Sequence, residues 1–290
     1  MIDLASMPLP SRAVAVQIEV QRIVQTQIHP TAIIEAGAVL GQGVKIGPFC
    51  TVGRDVVLED GVELVSHVAI DGRTRLGAGV KIFPFSTIGL APQDLKYKGE
   101  ETETVIGART QIREHASIHR GTVTGTGITR IGADCLLMAT VHVAHDCVLG
   151  DGCIISNNVA LGGHVELGER AIIGGNAALL QFVRVGAGAM VGGLTGVTRD
   201  VIPYARVFGT RAELLGLNLI GLKRRGLEKA QLHAVNNAYK FLFCGPGVFA
   251  DRVAELNATQ ADDPYIRDML DFIATPSRHG ILTNVAGEEE

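Results

Sequence analysis

From Ile28 onward a branched aliphatic side chain returns at every sixth position. The series runs Ile28, Ile34, Leu40, Ile46, Val52, Leu58, Leu64, Ile70, Leu76, Ile82 and Ile88, and resumes at Ile106, Ile112 and Ile118. After a one-residue shift it continues from Ile131 through Leu137, Val143, Leu149, Ile155, Leu161, Leu167, Ile173, Leu179, Val185 and Val191 to Val197. Four places after these positions the side chain is small or modest, as at Ala32, Ala38, Val44, Ala171, Ala177 and Ala189. A sustained period of six is a hexapeptide repeat, and its physical form is a parallel β-helix. Each hexad supplies one short strand and one corner, so three hexads, or 18 residues, close one triangular coil. The repeat residue then points inward, the residue four places on fills the space near a corner, and the flanking residues face out. Coils stacked about 4.8 Å apart predict a prism on the order of 50 Å tall.

Two polar, glycine-bearing excursions, 89–105 and 119–130, interrupt the repeat. Loops on a rigid scaffold are where function concentrates. After residue 202 the pattern changes: "AELLGLNLIGLKRR", "LEKAQLHAVNNAYKFLF", "GVFADRVAELNA" and "DPYIRDMLDFIA" place apolar residues three and four apart, and Asp262–Asp263 before Pro264 is a helix start. The expected organisation is therefore an N-terminal extension (1–27), a parallel β-helix (28–202) and a small C-terminal α-helical domain (203–290). Alternating Val14, Val16, Ile18 and Val20 could cover the strand edge of the first coil, or the extension could be partly disordered.

Composition adds limits. Aromatic residues make up only 4% of the chain and glycines number 36, which suits a core of small and branched side chains. A net charge of −4 supplies no basic field for nucleic acid. No apolar run is long enough to span a membrane, and the N-terminus lacks a signal-peptide pattern, so a cytoplasmic protein is expected. Cys50, Cys135, Cys147 and Cys153 all fall four places after a repeat residue and are expected as small interior side chains.

The stretch "VHVAHDCVLG" carries the candidate chemistry. His142 faces outward in this frame, and His145 and His164 fall at corners. One coil after His145 stands Gly163, and a second coil reaches Gln181; one coil before His164 stands Asp146. The frame thus stacks His145, Gly163 and Gln181 on one edge beside Asp146, His164 and Phe182. An imidazole can take a proton at neutral pH, and a neighbouring carboxylate orients it. Gly163 leaves its backbone N–H open to an oxyanion. Alternatively, His142, His145 and His164 could be metal ligands between subunits.

With these residues the chain resembles the hexapeptide-repeat acyltransferases, and within them the UDP-N-acetylglucosamine O-acyltransferases that begin lipid A biosynthesis. The matching stretches are "IGPFC", "QDLKY", "IHRGT", "HVAHDC", "GGHV", "IIGG", "MVGG" and "GLKRRG" followed by "NAYK". The resemblance implies a left-handed helix and transfer of a 3-hydroxyacyl chain from acyl carrier protein to the glucosamine 3-hydroxyl of UDP-N-acetylglucosamine. It implies His145 as general base, Asp146 as its support and the Gly163 amide as oxyanion donor. Asp94, Lys96, His142, His164 and Gln181 match positions that contact the sugar nucleotide, and Asn218, Arg224 and Arg225 match positions that reach the nucleotide and its diphosphate. Gly193 matches the position that limits acyl length, where glycine implies a long chain. Leu180 and Ile220 depart from the family's frequent histidine and acid. The family works as a homotrimer with sites between subunits and needs no metal or cofactor. Residues 180–230 hold eight Lys or Arg against three acids, which suits an anionic carrier and a diphosphate. Rival readings are a hexapeptide-repeat metalloenzyme of carbonic anhydrase type, a non-catalytic scaffold, and the N-acyltransferase of the same pathway, which would carry a separate N-terminal globular domain.

Overall fold

The computed structural model describes residues 25–283, so most of the expected N-terminal extension lies outside the described residues. Three parallel sheets form the walls of a prism. One wall stacks Ile28, Ile46, Leu64, Ile82 and Ile112 in direct register, each from the next coil. The second stacks Ile34, Val52, Ile70, Ile88, Ile118, Val143, Leu161 and Leu179. The third carries Leu40, Leu58, Leu76, Ile106, Ile131 and Leu149. From Ile46 to Val197 every repeat residue is buried, and so are the four interior cysteines; only Cys244 is exposed. Branched aliphatics suit this site because they are stiff and pack on a pleated surface.

The corners demand an uncommon backbone. Asp146, His164 and Phe182, at successive coils of one edge, have φ of 59°, 61° and 66°. L-residues visit this left-handed region rarely, so the edge is a set of tight turns held by the ladders on either side.

Both excursions are shorter than the sequence suggests. Glu103–Ile106 and Ile128–Ile131 are full four-residue strands that pair with each other, and the former also pairs with Arg73–Leu76, so the loops span only 91–102 and 120–127. The C-terminal region also differs at its start. Ala205–Phe208 continues the first wall in parallel on Met190–Val191, and Glu213–Leu217 folds back antiparallel onto it. Four helices follow: α1 (Leu219–Arg224), α2 (Lys229–Cys244), α3 (Phe249–Gln260) and α4 (Pro264–Ala274). Asp263 caps α4, accepting from the Tyr265 and Ile266 N–H groups at 2.9 and 3.2 Å, with Pro264 at the first helical position. Among the described residues no helix is long and apolar enough to cross a membrane.

Candidate active site

Both loops leave the second wall and return on the third, so they emerge at the same edge of the prism that carries Asp146, His164 and Phe182. On this edge His145 lies against Gly163. A Cβ on Gly163 would stand 2.7 Å from the His145 Cε1 and 2.8 Å from its Nε2, so only glycine admits the imidazole where it is. The His145 Nδ1 is 2.9 Å from Asp146 Oδ2. A carboxylate that accepts from Nδ1–H leaves Nε2 as the basic nitrogen, facing away from Asp146.

Asp146 itself is buried because the 120–127 loop closes over it. It accepts from the backbone N–H groups of Thr122 and Gly127 at 3.1 Å, from the Thr122 hydroxyl at 2.6 Å and from the Thr126 hydroxyl at 3.2 Å. The Thr129 hydroxyl in turn accepts from the Asp146 N–H at 2.8 Å. Burial alone would raise the carboxyl's pKa, but the Thr122 and His145 hydrogen bonds and the nearby His164 outweigh it and hold Asp146 below the usual carboxylate value. Gly125 at the loop's crown lies so close that a Cβ would meet the Asp146 carboxylate at 2.4 Å and the His164 ring at 2.5 Å. Sequence reasoning missed Thr122, Gly125 and Thr126; the alternating "GTVTGTG" of hydroxyls and glycines was the available signal.

Imidazoles crowd the same edge. His164 stands edge-on to His145 with ring centroids 5.1 Å apart, and its other side stacks flat on Phe182 at 4.3 Å. Burial, against the opposing pull of Asp146, lowers the His164 pKa. His142 bonds the Ser117 hydroxyl at 2.7 Å through Nδ1 and touches His119 edge-on at 4.9 Å. Burial first and neighbouring His142 second push His119 down to about 4. His142 is lowered as well, by burial and then by His145. In all three rings burial disfavours the charged form. The ligand atoms of His145, Asp146 and His164 lie within 4.8 Å of one another, close enough for a metal ion. His142 is not in that trio, and an ion would compete with the Thr122, Thr126 and Gly127 donors for Asp146, so the group is wired as a hydrogen-bonded relay.

Comparison with known proteins fits this geometry. Residues 200–282 match the family model "Udp N-acetylglucosamine O-acyltransferase; Domain 2", and residues 128–163 match the bacterial transferase hexapeptide repeat. An acyl-[acyl-carrier-protein]–UDP-N-acetylglucosamine O-acyltransferase from Azorhizobium caulinodans is 54% identical over 85% of this chain and 91% of its own length. The chain belongs to the UDP-N-acetylglucosamine O-acyltransferase family. Among solved structures of that family, the Moraxella catarrhalis enzyme superposes with a TM-score of 0.85 at 41% identity, covering 88% of this chain and 99% of its own. The Campylobacter jejuni enzyme gives 0.84 at 36% identity, covering 89% and 99%. The fold is thus the left-handed parallel β-helix of the O-acyltransferases, followed by C-terminal helices.

The O-acyltransferase residues implied by resemblance fall on three different edges. Asp94, on the loop, faces His164 electrostatically, and its carboxylate accepts from the Lys96 N–H at 3.0 Å; Lys96 and Gln181 are exposed on the same edge as His145. Asn218 and Arg225 sit at the opposite end of the third wall, on the edge it shares with the first. There the Asn218 amide donates to Gly188 O at 3.1 Å and accepts from Gly221 N–H at 3.0 Å, capping α1. Arg225 donates to Glu169 O at 3.3 Å and lies over Tyr204, while Arg224 ends α1 exposed. Gly193 occupies the remaining edge, where a Cβ would stand 3.1 Å from Gly175 O. A single chain therefore does not bring Asn218, Arg224 and Arg225 into one cleft with His145. A cavity of about 660 Å³, lined by Met190, Leu215, Ile220 and Lys240 among others, lies by the hairpin and α2 and away from His145.

Proposed function

We propose that this chain transfers a 3-hydroxyacyl group from acyl carrier protein to the glucosamine 3-hydroxyl of UDP-N-acetylglucosamine, the first step of lipid A biosynthesis, in the cytoplasm. The observation that carries this reading is the His145 imidazole, hydrogen-bonded to a buried carboxylate and seated against a residue without a side chain. His145 Nε2 takes the hydroxyl proton as the sugar oxygen attacks the thioester carbon. The carbonyl oxygen becomes an oxyanion, which the Gly163 N–H stabilises. Collapse of the intermediate forms the ester, breaks the carbon–sulfur bond and returns the proton to the departing thiolate. Asp146 keeps the imidazole in the productive tautomer and balances its transient charge.

Asp94, Lys96, His142, His164 and Gln181 hold the sugar, and Asn218, Arg224 and Arg225 hold the nucleotide and its diphosphate. Because these groups occupy different edges of one prism, we take the working unit as a homotrimer in which adjacent subunits complete each site. Gly193 leaves room for a long acyl chain; a preference for donors of about ten carbons would count against that assignment. The direct test is an acyl-transfer assay with UDP-N-acetylglucosamine. His145→Ala is expected to lose about a hundredfold or more in kcat, and activity within a few-fold of wild type would reject the base. Treatment with a chelator is expected to leave the rate unchanged; stoichiometric zinc whose removal abolishes activity would favour the metalloenzyme reading instead.

A further inference from the structure

The chain's last described segment returns to the catalytic edge. After α4, Asp200 N–H donates to Gly280 O at 3.0 Å and Leu282 N–H donates to Asp200 O at 2.8 Å, so 280–282 runs beside the prism as an added rung. The His279 Nε2 is 2.8 Å from the backbone oxygen of Gln181. The Gly280 N–H donates to the Ser277 hydroxyl at 2.8 Å, which turns the chain over the edge. Together these contacts lay the Arg278 guanidinium flat over Phe182, 3.9 Å from its centroid.

Phe182 is the ring stacked on His164, which abuts His145. The series His145, His164, Phe182 and Arg278 thus climbs the edge in close steps of 5.1, 4.3 and 3.9 Å. Arg278 differs from the other arginine of this neighbourhood. Arg184 is committed to the buried Asp200 at 2.7 Å and lies over Phe272, whereas the exposed Arg278 has no carboxylate partner among the described residues. A planar guanidinium fixed by stacking, with its N–H groups unspent, is pre-organised for a phosphate.

We propose that Arg278 is a phosphate subsite at the mouth of the catalytic edge, and that the phosphate it takes is the one on the carrier's prosthetic arm. This rests on the acyl-transfer reading. The donor thioester must reach the carbon that His145's substrate attacks, so its arm has to leave along the same edge with its phosphate at the far end. The cations assigned to the sugar nucleotide's diphosphate, Arg224 and Arg225, lie on another edge, which leaves Arg278 to the other substrate.

The test compares two soluble donors, a 3-hydroxyacyl phosphopantetheine and the same thioester lacking the phosphate, on wild type and Arg278→Ala. Wild type is expected to favour the phosphorylated donor by about tenfold in kcat/KM, the order of one charge-assisted contact at a partly solvated site. In Arg278→Ala that preference should vanish, with the KM for UDP-N-acetylglucosamine unchanged. An undiminished preference overturns the subsite, as does an equal loss with both donors, which would mark a structural role. A rise confined to the UDP-N-acetylglucosamine KM would reassign the phosphate to the nucleotide and overturn the carrier assignment. Wild type that accepts neither donor nor the intact acyl carrier protein would instead overturn the acyl-transfer reading.

Discussion

Gly163 is where one methyl group would do the most harm. Its absent Cβ is the space the His145 ring occupies, so Gly163→Ala must displace the imidazole from its contact with Asp146. A shift approaching 1 Å at a reacting group can cost about a hundredfold. We expect kcat to fall roughly ten- to hundredfold in the acyl-transfer assay, with little change in melting temperature because the site lies outside the core. His119 carries a different prediction. With a folded pKa pushed to about 4 from an ordinary value of 6.5, it binds its proton less readily in the folded chain than in the unfolded one. Stability is therefore whole above pH 6.5 and declines as pH falls toward 4, by about 3 kcal/mol for this group. Denaturant melts of His119→Asn are expected to show a weaker loss of stability across that window than wild type; equal slopes would reject the assignment.

At the scale of elements, the 120–127 loop acts as a lid on Asp146 rather than as a surface ornament. Thr122→Val removes a hydroxyl that donates to the carboxylate at 2.6 Å, leaving Asp146 buried with fewer donors. Its pKa should then rise, and the acid limb of the kcat profile should move to higher pH; an unmoved limb would detach Thr122 from the relay. The walls were legible in the sequence because a six-residue period leaves one inward side chain per strand, and stacking His145 with Gly163 and Asp146 with His164 needs only that period. The lid was not, since its contacts depend on how a non-repeating loop folds back. The hairpin before α1 misleads for a physical reason. Leu214 and Leu217 are buried three residues apart while Leu215 is exposed, which mimics a helix. The spacing instead arises in a strand whose pairing with Ala205–Phe208 slips in register, next to Gly216 at φ +108°. The later helices were legible because Asp263 and Pro264 announce α4 chemically and the apolar spacing of α2 and α3 is uninterrupted.

For the whole molecule, the placement of His145 and Arg224 on different edges makes a prediction that a single chain cannot satisfy. If adjacent subunits share each site, chains bearing His145→Ala and Arg224→Ala, each weakly active alone, should regain activity when co-expressed and purified as mixed trimers. Some interfaces then pair an intact imidazole with an intact arginine. The absence of recovery in trimers shown to contain both chains would place the two residues in one subunit's site. The prism also tolerates what it extrudes. Glu103 settles over Arg73 and Ile106 over Leu76 as though the intervening loop were not there, and Leu95, on that loop, holds its side chain almost wholly in solvent. A dye attached there would hang from the scaffold without straining a single rung, and its brightness could report the arrival of substrate beside Asp94 and Lys96 in real time.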